Sequence, residues 1–207
     1  MESKELRAMR AKVKQAKTWE QEIQAHNDII AAYSDNPKIR EDEYAALGFF
    51  YLTVYRDINK AESHYRQALS INPANLDHHY MLGYTYSAGS RWDEAIVEFE
   101  YCTKMKPDNF EYFYVLGLVW WNKGNTEKAV GYLRNALMLT PVSSFTIHSL
   151  AANLLYMPVD AKVAEYAKYA LEITPENISA KELYDEIHNL FKYIKEDAER
   201  ENRRYQK

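Results

Sequence analysis

Pro73, Pro107, Pro141 and Pro175 lie 34 residues apart each time, and no other feature restricts the fold as much. The same interval separates Ala68, Cys102, Ala136 and Ala170. It recurs through Gly83, Gly117 and Ala151, with Gly48 preceding them by 35. Four more columns keep step: Leu47, Leu82, Leu116, Leu150; Tyr51, Tyr86, Trp120, Leu154; Ala61, Ala95, Ala129, Val163; and Tyr65, Phe99, Leu133, Ala167. A fixed period of this length marks stacked supersecondary units, each too small to bury its own apolar face.

Each column has a physical reading. Tyr44, Leu47, Gly48 and Tyr51 are spaced 3, 1 and 3, which is one face of a helix. Ala61, Tyr65, Ala68 and Leu69 mark a second helix. Turn residues separate the two: Arg56-Asp57 with Asn59, Ala88-Gly89-Ser90, Lys123-Gly124-Asn125 and Met157-Pro158-Val159-Asp160. Small residues in the glycine and Ala68 columns let paired helices approach closely. Each proline ends a unit, because its missing N–H and fixed φ disfavour helix continuation. The first unit is expected to carry one extra residue in its internal turn.

These residues resemble the tetratricopeptide repeat (TPR) family, whose helix-turn-helix unit and 34-residue period they match. The resemblance implies an all-α, right-handed superhelical solenoid of antiparallel helix pairs with a C-terminal capping helix. It places units at 41–75, 76–109, 110–143 and 144–177. The fourth has Ala151 for glycine and Val163 for alanine, so looser packing is expected there. Residues 1–40 read as a degenerate extra unit, with Leu6, Met9, Val13 and Ala16 on its first helix and Ala25, Ile29, Ala32 and Pro37 on its second. Residues 178–207 read as the cap, carrying Leu183, Ile187, Leu190 and Ile194 before a charged end.

Composition excludes several functions. Lys and Arg number 26 against 30 Asp and Glu, a net charge of -4 that argues against nucleic-acid binding. Cys102 is the single cysteine, which rules out an intramolecular disulfide and fits a reducing, cytoplasmic setting. The first 17 residues lack the apolar core of a signal peptide. Residues 135–159 contain no charged side chain, but Pro141, Pro158 and Ser143-Ser144 break them into two buried helices, so no transmembrane segment is expected.

No catalytic constellation stands out. Of His26, His64, His78, His79, His148 and His188, no pair is spaced to share a metal ion on a helix. Cys102 sits in a small-residue packing column, which suits an inert thiol. The expectation is a chain that is not an enzyme and needs no cofactor.

What the resemblance implies instead is a binding surface on the first helix of each unit. The groove-facing columns of the family fall here on Asp42, Ala45, Phe49 and Leu52; on Asp77, Tyr80, Tyr84 and Ser87; on Glu111, Tyr114, Leu118 and Trp121; and on Phe145, His148, Ala152 and Leu155. One stripe is aromatic: Phe49, Tyr80, Tyr84, Tyr114, Trp121 and Phe145. Such a stripe marks an interaction site unless the rings pack on one another or under the cap. The other stripe, Asp42, Asp77 and Glu111, is acidic, and helix N-termini favour acids for dipole reasons alone.

The cation clamp with which some TPR domains hold acidic chaperone tails is missing. In one register it falls on Ala45, Phe49, Met81, Glu111 and Val115, and in the next on Tyr80, Tyr84, Val115, Phe145 and Ser149. The reading is an adaptor or assembly scaffold for a protein or peptide partner. The alternatives are a dedicated chaperone of a secreted or membrane client and a subunit held permanently in a larger complex. Basic segments at residues 1–20 and 192–207 flank an acidic middle, so self-association through the terminal helices is a further expectation.

Overall fold

A computed structural model describes residues 3–139 of the chain, together with Asp185. The fourth unit, its Ala151 and Val163, the groove positions Phe145 and His148, and the cap all lie outside the described residues. The chain divides into two compact units between Met105 and Lys106.

The first unit holds six helices: α1 (Lys4–Gln15), α2 (Trp19–Ala32), α3 (Pro37–Phe50), α4 (Ile58–Ile71), α5 (Leu76–Ala88) and α6 (Trp92–Met105). The described part of the second holds α7 (Phe110–Asn122) and α8 (Thr126–Leu139). Polar side chains start most of them. Ser3, Thr18, Asn36, Asp57, Asn75 and Asn109 each accept a first-turn backbone N–H at the N-cap. Pro37 begins α3, where its missing N–H costs nothing. The first helix of the 41–75 unit therefore starts four residues earlier than the repeat alignment suggested.

The repeat columns form the core. Every described member of the Leu47, Tyr51, Ala61, Tyr65 and Ala68 columns is buried. The glycine column shows why it tolerates no side chain. A Cβ added at Gly48 would lie 3.0 Å from the Tyr65 ring, one at Gly83 2.8 Å from Phe99, and one at Gly117 2.7 Å from Leu133. Glycine on the first helix thus faces the bulky column on the second, three times over.

The extra residue of the first repeat is not in the loop. Arg56, Ser90 and Gly124 end their turns in the left-handed region with φ 54, 56 and 86, and they lie 34 residues apart. Seven residues separate Gly83 from Ser90 and Gly117 from Gly124, but eight separate Gly48 from Arg56. The insertion is absorbed by a π-helical turn, Tyr51–Tyr55, in which the Arg56 N–H donates to the Tyr51 carbonyl. Helices take up a single extra residue this way because the wider turn keeps the flanking hydrogen bonds, and such turns cluster at functional sites.

Candidate protein-interaction face

In the first unit, α3 and α5 contribute the rings expected from the repeat columns. Phe49 is 54% exposed and Tyr84 43% exposed, although both are large hydrophobic residues. Tyr80 is half-buried, with its ring 5.2 Å from Tyr84 and 5.7 Å from Phe99. Phe99 thus supports both tyrosines edge-on from the core. Between the two helices lies a pocket of about 730 Å³ bounded by Phe49, Leu52, Tyr80 and Tyr84, with Arg56 at its rim. These three aromatic positions are brought together.

The acidic positions behave differently from one another. Asp42 is drawn into ion pairs, 3.0 Å from Lys38 and 3.9 Å from Arg10. Asp77 is exposed in the first turn of α5, beside its cap Asn75, where the helix dipole favours an acid. In the second unit, Glu111 occupies the same place on α7 and is exposed, whereas Tyr114, Leu118 and Trp121 are half-buried.

The repeat columns did not reveal the buried carboxylates. Glu41 is 2% exposed and Glu43 3%. One oxygen of Glu41 accepts hydrogen bonds from Asn72 at 3.0 Å and Asn75 at 2.7 Å, and His78 Nε2 lies 2.9 Å away. Burial pushes the Glu41 carboxyl up, but these partners and the Lys38 charge outweigh it and hold it below the ordinary value. Glu43 joins α1 and α2 to α3, accepting from Arg10 at 3.2 Å and sitting 2.6 Å from His26. Glu62 on α4 accepts from Arg66, from Arg91 and from the Tyr86 hydroxyl. Its carboxyl too is held low, because those bonds exceed the effect of burial.

Three histidines therefore serve helix packing, since His79 likewise lies 2.6 Å from Glu98. The legible signal was the coincidence of a Glu at the second-turn position of α3 with asparagines at the end of the unit, a pattern that hydrophobic periodicity ignores. Among the described residues no group of three or more His, Cys, Asp or Glu is arranged to hold a metal ion. The Cys102 thiol is buried, donates toward the Leu76 carbonyl at 3.6 Å, and is pushed up to about 12 by burial. A thiol in that state is a poor nucleophile. No described helix is long and apolar enough to cross a membrane.

Exposed rings on stacked helix pairs, with the buried charges engaged between helices, define a helical-repeat interaction module. Residues 80–143 match the family described as tetratricopeptide repeat, and the solved structures that the chain resembles share its fold. One is MamA, residues 41 to the end, from Desulfovibrio magneticus RS-1. It is 14% identical, with 85% of this chain and 98% of that chain covered and a TM-score of 0.67. A second is PilF of Pseudomonas aeruginosa, 22% identical over 76% of this chain and 72% of that one, TM-score 0.55. A third is the TPR domain of Arabidopsis OM64, 15% identical over 56% and 96%, TM-score 0.52. At these identities the likeness concerns the fold. No curated protein matches the sequence.

Proposed function

We propose that this chain is a non-enzymatic adaptor or assembly scaffold that holds a segment of a protein partner against the aromatic face of its repeats. The observation that carries this reading is the exposure of Phe49 and Tyr84 on neighbouring helices, at the edge of an apolar pocket. Leaving such rings in water forfeits the free energy their burial provides, about 25 cal/mol per Å² of apolar surface. A partner that covers them recovers it, and aromatic anchors of this kind dominate interface energetics. The lone buried cysteine suits work in a reducing, cytoplasmic compartment.

The test is a pull-down from native extract with the wild type and with Phe49→Ala/Tyr84→Ala. Loss of about 2 kcal/mol or more of affinity, with the melting temperature nearly unchanged, is expected for exposed hot-spot residues. Leu82→Ala serves as the contrast, because Leu82 is buried in α5 and its loss should cost about 2–5 kcal/mol of stability. Retention of every partner by the folded double variant would move the working surface elsewhere, as a permanently held subunit would require.

A further inference from the structure

The pocket beside the π-helical turn has a chemical bias. Arg56 is its single charged lining residue, and all the others named at its wall are apolar, aromatic or hydroxyl-bearing. Arg56 has no ion pair or hydrogen bond from its side chain among the described residues. The nearest acid in sequence, Asp57, is already engaged: its carboxylate caps α4 through the Lys60 N–H at 3.0 Å and sits 3.7 Å from the Lys60 ammonium. The corresponding turn positions in the next two repeats are Ser90 and Gly124, neither charged. Among the described repeats, the first alone combines an inserted residue, a π-helical turn and an arginine at that turn position, here lining an aromatic pocket.

We infer that this pocket selects a peptide segment in which a bulky apolar side chain is accompanied by a carboxylate, the apolar group seated between Phe49 and Tyr84 and the carboxylate paired with Arg56. The inference rests on the adaptor reading above and adds the chemistry of the partner. Charge complementarity argues for it: a guanidinium at the edge of a low-dielectric wall gains more from a carboxylate than one in open water. Thr53, the hydroxyl-bearing wall residue near the turn, is exposed but bonds back along its own helix, its hydroxyl donating to the Phe49 carbonyl at 2.8 Å. Its proton is thereby committed, and a hydroxyl adds no charge to compete with Arg56.

The experiment is panning of a random dodecapeptide phage library against the full chain, followed by fluorescence polarisation with the enriched peptides. Three variants accompany the wild type: Arg56→Glu, Arg56→Gly, and Phe49→Ala/Tyr84→Ala. Arg56→Gly removes the charge and keeps the turn, because glycine adopts φ near 54 without strain and Gly124 already occupies the equivalent position. Peptides enriched on the wild type should share a bulky apolar residue with an Asp or Glu close by. Arg56→Gly should weaken them roughly tenfold, the loss of one charge-assisted pairing, while melting no lower than the wild type. Arg56→Glu should enrich peptides carrying Lys or Arg in place of the acid. Enriched peptides without a shared acid, or the same peptides on Arg56→Glu, would overturn the inference and leave the adaptor reading standing. Peptides bound equally by Phe49→Ala/Tyr84→Ala, or no enrichment at all, would overturn both.

Discussion

Gly117 and Gly131 lie one helix apart in the same unit, and the same substitution should act on them with opposite sign. Inside a helix, replacing glycine by alanine gains about 1 kcal/mol from backbone entropy and solvation. Gly131 on α8 keeps that gain, because no atom lies within 4 Å of the Cβ it would acquire. Gly117 on α7 does not. Its added Cβ would stand 2.7 Å from Leu133 Cγ, 2.9 Å from Cδ2 and 3.2 Å from the Ala129 carbonyl oxygen. Favourable carbon contacts lie near 3.5–4.0 Å, so roughly 1 Å of displacement is required. Leu133 is fully buried and Cγ is its branch point, so swinging the chain end cannot supply it. Overpacking of this kind costs about 1–3 kcal/mol, and with two elements resisting it the upper end applies. The net expectation is a loss of about 2 kcal/mol for Gly117→Ala and a gain of about 0.5–1 kcal/mol for Gly131→Ala. In melting temperature these are a fall of about 4–8 °C and a rise of about 1–4 °C. Circular dichroism melts and urea titrations of the two variants measure both. Shifts of the same sign would refute the assignment of the glycine column to helix contact.

Three further outcomes are expected. Glu41→Gln should cost about 1–3 kcal/mol near neutral pH, where the carboxylate accepts its three partners. Because the folded Glu41 carboxyl is held below its ordinary value of 4.5, its contribution is full above about pH 4.5 and is lost as the pH falls through the folded value. The gap between wild-type and variant melting temperatures should therefore hold steady above about pH 4.5 and narrow as the pH falls below it, and a gap that persists on full acidification would refute the role. Ala136→Leu should lower stability by about 1–3 kcal/mol in chemical denaturation, since Ala136 is fully buried; an unchanged midpoint would show the column misplaced. A peptide of acidic residues with no bulky apolar side chain should give no heat of binding in calorimetry, because exposed Asp77 repels consecutive carboxylates and nothing would fill the pocket between Phe49 and Tyr84. A micromolar dissociation constant would contradict this.

What could be read from the sequence was the part governed by repetition. The Leu47, Tyr51, Ala61, Tyr65 and Ala68 columns are buried where described, because each repeat faces the same geometric problem and solves it with the same residue sizes. The exposure of Phe49 and Tyr84 followed from the same register. Features belonging to one repeat alone were hidden. Glu41, in the second turn of α3, belongs to no repeat column, and its role emerges only when the α4–α5 loop brings Asn72 and Asn75 onto it. The 35-residue step was visible, yet its place was not, since an extra residue fits a loop or a widened helical turn equally well on paper. Asp42 looked like its repeat equivalents Asp77 and Glu111, but Arg10, from a helix outside the alignment, changes its surroundings.

The facing of glycine by a bulky residue also bears on how such a chain can diverge after its repeats were copied. Three pairs read Gly48–Tyr65, Gly83–Phe99 and Gly117–Leu133, while the fourth reads Ala151 and Ala167. Small plus large has become medium plus small, as if space were exchanged across the pair. The order of steps then matters: a methyl gained at the glycine first meets a filled site, whereas trimming the opposite side chain first leaves room to receive it. Lineages should pass through the cavity and not through the clash. The double variant Gly117→Ala/Leu133→Ala should accordingly be more stable than the sum of its single changes implies, a history that a thermodynamic cycle can replay.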